Sequence, residues 1–241
     1  MTKNSLSQRT MVALDNMNKE QLHEFLAHLP LDFPWVKVGL EQYLTHGQDL
    51  VKIIHEKYQR RVFLDLKLHD IPNTVAKALK SLKDLPIEFV TVHLSGGRSM
   101  LSACQDVVGE YMPQISILGV SYLTSLGEED FNEIWSLEKS QVNSAFERLF
   151  NLALTTNTQG VVCSAFELEV VKRCEQKAGK SLKKVCPGIR FKDEIGTAAV
   201  NDQRRVMSPQ EADRAGADFL VMGRSITQAL DIQARVKELS K

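Results

Sequence analysis

Arg61-Val62-Phe63-Leu64-Asp65-Leu66-Lys67-Leu68-His69-Asp70-Ile71-Pro72-Asn73-Thr74 reads as a strand that ends in charge and turns at once into a helix. Side chains alternate between the faces of a strand, so Asp65 and Lys67 point one way while Leu64, Leu66 and Leu68 point the other. Two unlike charges thereby share one side of a sheet. Asp70 follows just past the strand end, and Pro72 restricts the backbone and opens a helix with Asn73 and Thr74 in its first turn. A strand leading straight into a helix is one βα unit, and the chain repeats that unit on both sides of this stretch.

β-Rich runs fall at 11–15, 35–39, 62–67, 89–93, 115–120, 160–163, 184–186 and 218–222. Segments of helical period lie between and after them at 19–29, 41–58, 73–82, 97–111, a longer region reaching 157, then 166–177 and 226–239. A polar loop follows the seventh strand. Eight such repeats favour a closed parallel (β/α)8 TIM barrel, because an open doubly wound sheet is usually complete with five or six strands. No linker interrupts the series, so the expectation is a single domain over 1–241, close to the roughly 250 residues usual for one barrel. In that fold the active site lies at the carboxyl ends of the strands.

With 43% apolar residues the 241-residue chain can bury a full core. Thirty basic and thirty acidic residues cancel, which gives no support for a nucleic-acid or membrane-surface partner and points to a small molecule. Cys104, Cys163, Cys174 and Cys186 are widely spaced, with no secretory leader ahead of them. They read as reduced thiols in a cytoplasmic protein. No apolar run approaches the roughly 20 residues that span a bilayer, so a soluble protein is expected.

The strand ends carry the chemistry. Asp15 closes strand one, Lys37 sits within strand two, Asp65 and Lys67 on strand three, and His93 with Ser95-Gly96-Gly97 at strand four. Thr124 and Ser125 follow strand five, Pro187-Gly188-Ile189-Arg190 strand seven, and Gly223-Arg224-Ser225 strand eight. A glycine directly after an apolar strand lets a ligand approach the backbone, and Arg224 adds a forked cation. Phosphate sites of barrels are commonly built from the loops after strands seven and eight, which also places Arg190 and Asp202-Gln203-Arg204-Arg205 in range. His69 reads as structural, and His93 stands between packing and a site role. His23, His28, His46 and His55 fall in helical segments without metal-ligand spacing. Ser95-Gly96-Gly97 fits an anion nest or a tight strand-to-helix turn equally well.

Asp65-x-Lys67-x-x-Asp70-Ile71-Pro72-Asn73-Thr74 closely resembles the signature of the orotidine 5′-phosphate decarboxylase family. Ala13-Leu14-Asp15, Val36-Lys37-Val38-Gly39, Val92-His93, Leu123-Thr124-Ser125, Pro187-Gly188-Ile189-Arg190, Asp202-Gln203-Arg204 and Gly223-Arg224-Ser225-Ile226-Thr227 resemble its other landmarks, in its order. The compact loop between Arg190 and Gln203 resembles the bacterial branch. The resemblance implies conversion of orotidine 5′-monophosphate to uridine 5′-monophosphate (UMP) and CO2, without cofactor or metal, in a homodimer. It implies an alternating charge array of Lys37, Asp65, Lys67 and Asp70, with Lys67 as proton donor, and Asp70 and Thr74 offered across the dimer interface. It further implies that Asp15 and Lys37 hold ribose hydroxyls and that Thr124 and Ser125 meet the pyrimidine edge. Arg190, Gln203, Gly223 and Arg224 would hold the phosphate.

Elementary electrostatics agrees. Loss of CO2 from C6 leaves a lone pair in the ring plane, where no π system can absorb it, so the protein must supply positive charge there. A lysine flanked by acids can, since an opposite charge near 4 Å is worth about 4 kcal/mol at an effective dielectric constant of about 20. Three rivals share parts of the pattern. A Schiff-base aldolase needs a free amine, which two nearby acids disfavour. A magnesium-dependent sugar-phosphate decarboxylase or synthase would use the acids as ligands, and the Lys37 ammonium would repel that metal. A non-catalytic nucleotide-binding barrel leaves both lysines and both acids without a purpose.

Overall fold

The computed structural model describes residues 4–195 and 206–240. Its elements, in chain order, are β1 (Thr10–Ala13), α1 (Lys19–His28), β2 (Trp35–Gly39), α2 (Leu40–Glu56), β3 (Arg61–Leu68) and α3 (Pro72–Lys80). β4 (Phe89–His93), α4 (Gly97–Tyr111), β5 (Ser116–Val120), α5 (Glu128–Trp135), α6 (Lys139–Thr155) and β6 (Gly160–Val162) follow. The chain continues with α7 (Leu168–Ala178), β7 (Lys183–Cys186), α8 (Pro209–Ala215), β8 (Phe219–Met222), α9 (Arg224–Thr227) and α10 (Ile232–Leu239). The strands pair in parallel in the order β1 to β8, and β8 closes on β1 through Met11 opposite Val221. The fold is the (β/α)8 TIM barrel.

Alternation along the strands divides the core in two. Val12, Val36, Val38, Val62, Leu64, Val90 and Val92 face outward and pack with helix residues such as Leu22, Ile54, Val75 and Leu101. Met11, Trp35, Phe63, Phe89, Leu118, Val162, Val185 and Val221 fill the interior. At the amino-terminal floor Trp35 stacks on Phe89 with centroids 5.0 Å apart, and Phe219 meets both rings edge-on at 5.4 Å. Each such ring contributes roughly 1.5–3 kcal/mol of burial and leaves no passage through the barrel. One step up each strand the inward positions change character, from Trp35 to Lys37 and from Phe63 to Asp65. The floor is apolar and the mouth is charged.

Several boundaries depart from the sequence expectation. β1 ends at Ala13, which leaves Asp15 two residues beyond the strand. The long helical region before β6 is two helices, because Ser136 adopts a left-handed φ of 53° and ends α5. The segment after β8 also splits into α9 and α10. The polar loop after β7 holds α8, whose signal was Ser208-Pro209-Gln210-Glu211: Pro209 begins the helix and the Glu211 carboxylate accepts from the Ser208 N–H at 3.1 Å. Ser95-Gly96-Gly97 resolves as a tight turn, with a short 3-10 segment over Leu94–Gly96 and Gly97 at φ 81° opening α4.

Candidate active site

β3 does not run straight through its signature. It pairs with β4 as Leu64 opposite Val90 and then Leu68 opposite Val92, so Asp65, Leu66 and Lys67 together face the single residue Thr91. Lys67 takes up the excess with φ 49°, a left-handed conformation that costs a lysine on the order of 1 kcal/mol. Both acid and lysine still reach the barrel mouth. Lys67 Nζ donates to Asp65 Oδ2 at 2.6 Å, and Lys37 Nζ lies 3.8 Å from the same oxygen. Lys37 also donates to Asp15 Oδ2 at 2.9 Å and to Oδ1 at 3.2 Å. Asp15, Lys37, Asp65 and Lys67 therefore form a continuous alternating chain of charge. The Asp65 side chain is 9% exposed, Lys37 10% and Lys67 32%, so Lys67 is the more open of the two lysines.

That cavity, about 280 Å³, occupies the carboxyl-end mouth. Asp15, Lys37, Asp65, Lys67, Thr124, Arg190, Gly223 and Arg224 line it, as do Phe63, Val120, Val162 and Val221 from the apolar layer beneath. Arg190 and Arg224 stand on the wall formed by the ends of β7 and β8. Arg190 Nη1 donates to Ser225 Oγ at 3.2 Å, and Ser225 Oγ donates to Glu194 Oε2 at 2.5 Å. Arg235 of α10 ties the same loop down, lying 3.0 Å from Asp193 and 4.2 Å over the Phe191 ring. The Asp193 carboxyl is held below its ordinary range by that hydrogen bond from Arg235.

Gly39, at the end of β2, is required by close approach. A methyl group there would sit 2.6 Å from Asp15 Oδ1 and 2.8 Å from Lys37 Nζ. Gly223 has open space before it, with only Ala13 Cβ as near as 3.7 Å, so its backbone faces the cavity unshielded.

Three expected residues fall elsewhere, and a fourth is not among the described residues. Ser125 is exposed and outside the lining, although its neighbour Thr124 is within it. Asp70 and Thr74 are exposed at the start of α3 and do not line their own chain's cavity. Asp70 Oδ1 instead accepts from the Ile71 N–H at 2.6 Å. Gln203 lies outside the described residues, with Asp202, Arg204 and Arg205. Conversely, Tyr122 and Cys163 line the cavity without having been singled out for it. Tyr122 sits edge-on to Phe131 and Trp135 at 4.9 Å, which pins α5 beside the mouth. Thr91 was also missed; its hydroxyl had no local motif to announce it.

His93 ends β4 with its ring 5.1 Å from that of His69. Burial, His69 and Lys67 push its pKa from the ordinary 6.5 down to about 4, against an upward pull from Asp65. His93 is thus a neutral imidazole beside the charge chain at neutral pH. Among the described residues no three His, Cys, Asp or Glu side chains gather in a way that could hold a metal ion, and no helix is long and apolar enough to cross a membrane. Cys104, Cys163, Cys174 and Cys186 are free and buried.

A closed (β/α)8 barrel with an acid–lysine chain and two arginines around one mouth defines an enzyme of the sugar-phosphate or nucleotide-processing kind. The chain belongs to the orotidine 5′-phosphate decarboxylase / HUMPS family, whose model matches residues 8–239. By that membership it is a decarboxylase-type enzyme, a carboxy-lyase. It is 40% identical over 228 residues to the orotidine 5′-phosphate decarboxylase of Idiomarina loihiensis, covering 95% of this chain and 94% of that protein. With the protein of the same name from Opitutus terrae it shares 38% identity over 229 residues, 95% of each chain. The crystal structure of orotidine 5′-phosphate decarboxylase from Lactobacillus acidophilus superposes with a TM-score of 0.77 at 32% identity, covering 95% of this chain and 96% of that one.

Proposed function

We propose that this chain, as one barrel domain over 1–241, decarboxylates orotidine 5′-monophosphate to UMP and CO2 in pyrimidine biosynthesis. The observation that carries this reading is the Lys67 ammonium, 2.6 Å from Asp65 Oδ2 and open to a cavity whose far wall holds Arg190 and Arg224. In the proposed reaction the C6–carboxylate bond breaks, CO2 leaves, and the bonding pair stays on C6 in the ring plane. Lys67 stabilises that lone pair electrostatically and transfers one proton to it, which completes UMP. No oxidant, reductant or cofactor is needed for the balance.

Asp15 and Lys37 are assigned to the ribose hydroxyls, and Thr124 and Ser125 to the pyrimidine edge. Arg190, Gln203, Gly223 and Arg224 are assigned to the phosphate, whose binding energy can be used at the reacting carbon. Asp70 and Thr74 are assigned to the neighbouring subunit's site in a homodimer, a reading supported by their exposure on the outside of their own mouth. The four free thiols accord with a cytoplasmic location. A magnesium-dependent sugar-phosphate reaction is disfavoured by Lys37, whose ammonium stands between Asp15 and Asp65 where a cation would need to lie.

The test is loss of orotidine 5′-monophosphate absorbance with wild type and Lys67→Ala, without added metal. Wild type should turn over, and the variant should be slower by at least about 10³-fold. Undiminished activity of Lys67→Ala refutes the assignment of the donor.

A further inference from the structure

Thr91 is fully buried on the inward face of β4, and its hydroxyl is engaged on both sides. It accepts the Lys67 backbone N–H at 2.8 Å and donates to Asp65 Oδ1 at 3.0 Å. A threonine hydroxyl has one proton, and an ionised carboxylate can only accept, so the direction of this network is set: Lys67 N–H to Thr91, Thr91 to Asp65.

The first bond answers a need created by the irregularity in β3. At φ 49° Lys67 has left extended geometry, and Thr91 is the one β4 residue facing three residues of β3. The side-chain oxygen of Thr91 takes the Lys67 N–H where the strand ladder is interrupted, and so supports a conformation that lysine seldom adopts. The second bond divides the work of Asp65. Oδ1 is tied to β4, and Oδ2 is left to face Lys67 at 2.6 Å and Lys37 at 3.8 Å. Without the Thr91 proton the carboxylate could turn about its last bond and present either oxygen to either lysine.

We propose that Thr91 is a positioning residue for the decarboxylation, which sets the Lys67 backbone and the Asp65 carboxylate plane and thereby aims the Lys67 ammonium at C6. The inference rests on the reading of Lys67 as the group that stabilises and protonates that carbon. Thr91 does not line the cavity and acts only through its two neighbours.

The experiment compares Thr91→Val, Thr91→Ala and Thr91→Ser with wild type and Lys67→Ala. Four quantities are read: kcat and KM for orotidine 5′-monophosphate, the affinity for UMP, and the rate at which the C6 hydrogen of bound UMP exchanges in D2O. Valine and alanine should each lower kcat by about 10²-fold, the scale of a small misplacement of a reacting group. C6 exchange should fall in parallel, while KM and UMP affinity stay within about threefold, as expected for an interaction realised in the transition state. Serine, which keeps the hydroxyl, should retain kcat within about threefold. Alanine tests the same hydroxyl without added bulk if valine does not fold. Wild-type kcat in both valine and alanine, or a serine variant as slow as valine, overturns the inference. Full activity of Lys67→Ala overturns the reading beneath it, whereas an inactive Lys67→Ala beside fully active valine and alanine variants overturns the Thr91 inference alone.

Discussion

Lys37 and Asp15 form a 2.9 Å ion pair between the middle of β2 and the loop after β1, and Gly39 leaves the space in which it forms. The pair links Asp15 to Asp65 through one ammonium, so a disturbance at Asp15 is carried to the group that holds Lys67.

Gly39→Ala should damage the site and spare the fold. The new methyl would lie 2.6 Å from Asp15 Oδ1 and 2.8 Å from Lys37 Nζ, both at the far ends of side chains that can swing away. The displaced charges should lower kcat/KM by about 10²-fold. A thermal melt within a few degrees of wild type, run beside the kinetics, checks that the barrel is intact; unchanged kcat/KM would show that the ion pair has no part in turnover.

Arg224→Ala should lower kcat as well as affinity, because energy from a remote phosphate is usable at the reacting carbon. A loss of about 10³-fold in kcat/KM on the full nucleotide, equal to about 4 kcal/mol, is expected. In wild type, added inorganic phosphite should partly activate turnover of the truncated nucleoside. Equal kcat/KM for wild type and variant would remove Arg224 from the phosphate site.

Sharing of the site between subunits is testable by mixing. Lys67→Ala and Asp70→Ala should each be nearly inactive. After subunit exchange, random pairing makes half of the molecules mixed dimers with one intact site, so about a quarter of wild-type activity should return. Failure to recover activity, with exchange verified by a tag on one subunit, would assign Asp70 to its own chain.

His93 should make stability depend on pH below neutrality. Its pKa is pushed from 6.5 to about 4 by burial, His69 and Lys67, with Asp65 opposing. As pH falls through 6.5 the unfolded chain takes up the proton first and the folded chain holds a neutral ring until about 4. Stability from this group is therefore full above 6.5 and declines across that window. Urea midpoints measured over the same range should fall in wild type and fall less in His93→Gln; parallel curves would exclude His93 as the source.

Much of the barrel was legible because its determinants are local. Period-two apolar runs mark the strands, and the inward step from Trp35 to Lys37 and from Phe63 to Asp65 puts the charges at the carboxyl end whatever their partners are. Pro72 after Asp70 marked the start of α3. The helix breaks were less legible, since Ser136 ends α5 by a left-handed φ that serine does not advertise, and the polar composition of residues 206–215 concealed α8 behind a short capping signal.

For this protein the sequence by itself determined the class of fold, the end of the barrel that carries chemistry and most of the residues found there. Tertiary structure decided how those residues meet. Asp15 and Lys37 are 22 positions apart and become an ion pair because parallel pairing sets the end of β1 beside Lys37 of β2. Thr91 reaches Asp65 from 26 positions away because β3 lies beside β4, and it takes the Lys67 N–H because β3 bulges there, which no pattern of hydrophobicity encodes. The exposure of Asp70, Thr74 and Ser125 was equally out of reach, because a strand's alternation says nothing about where the chain points once the strand has ended.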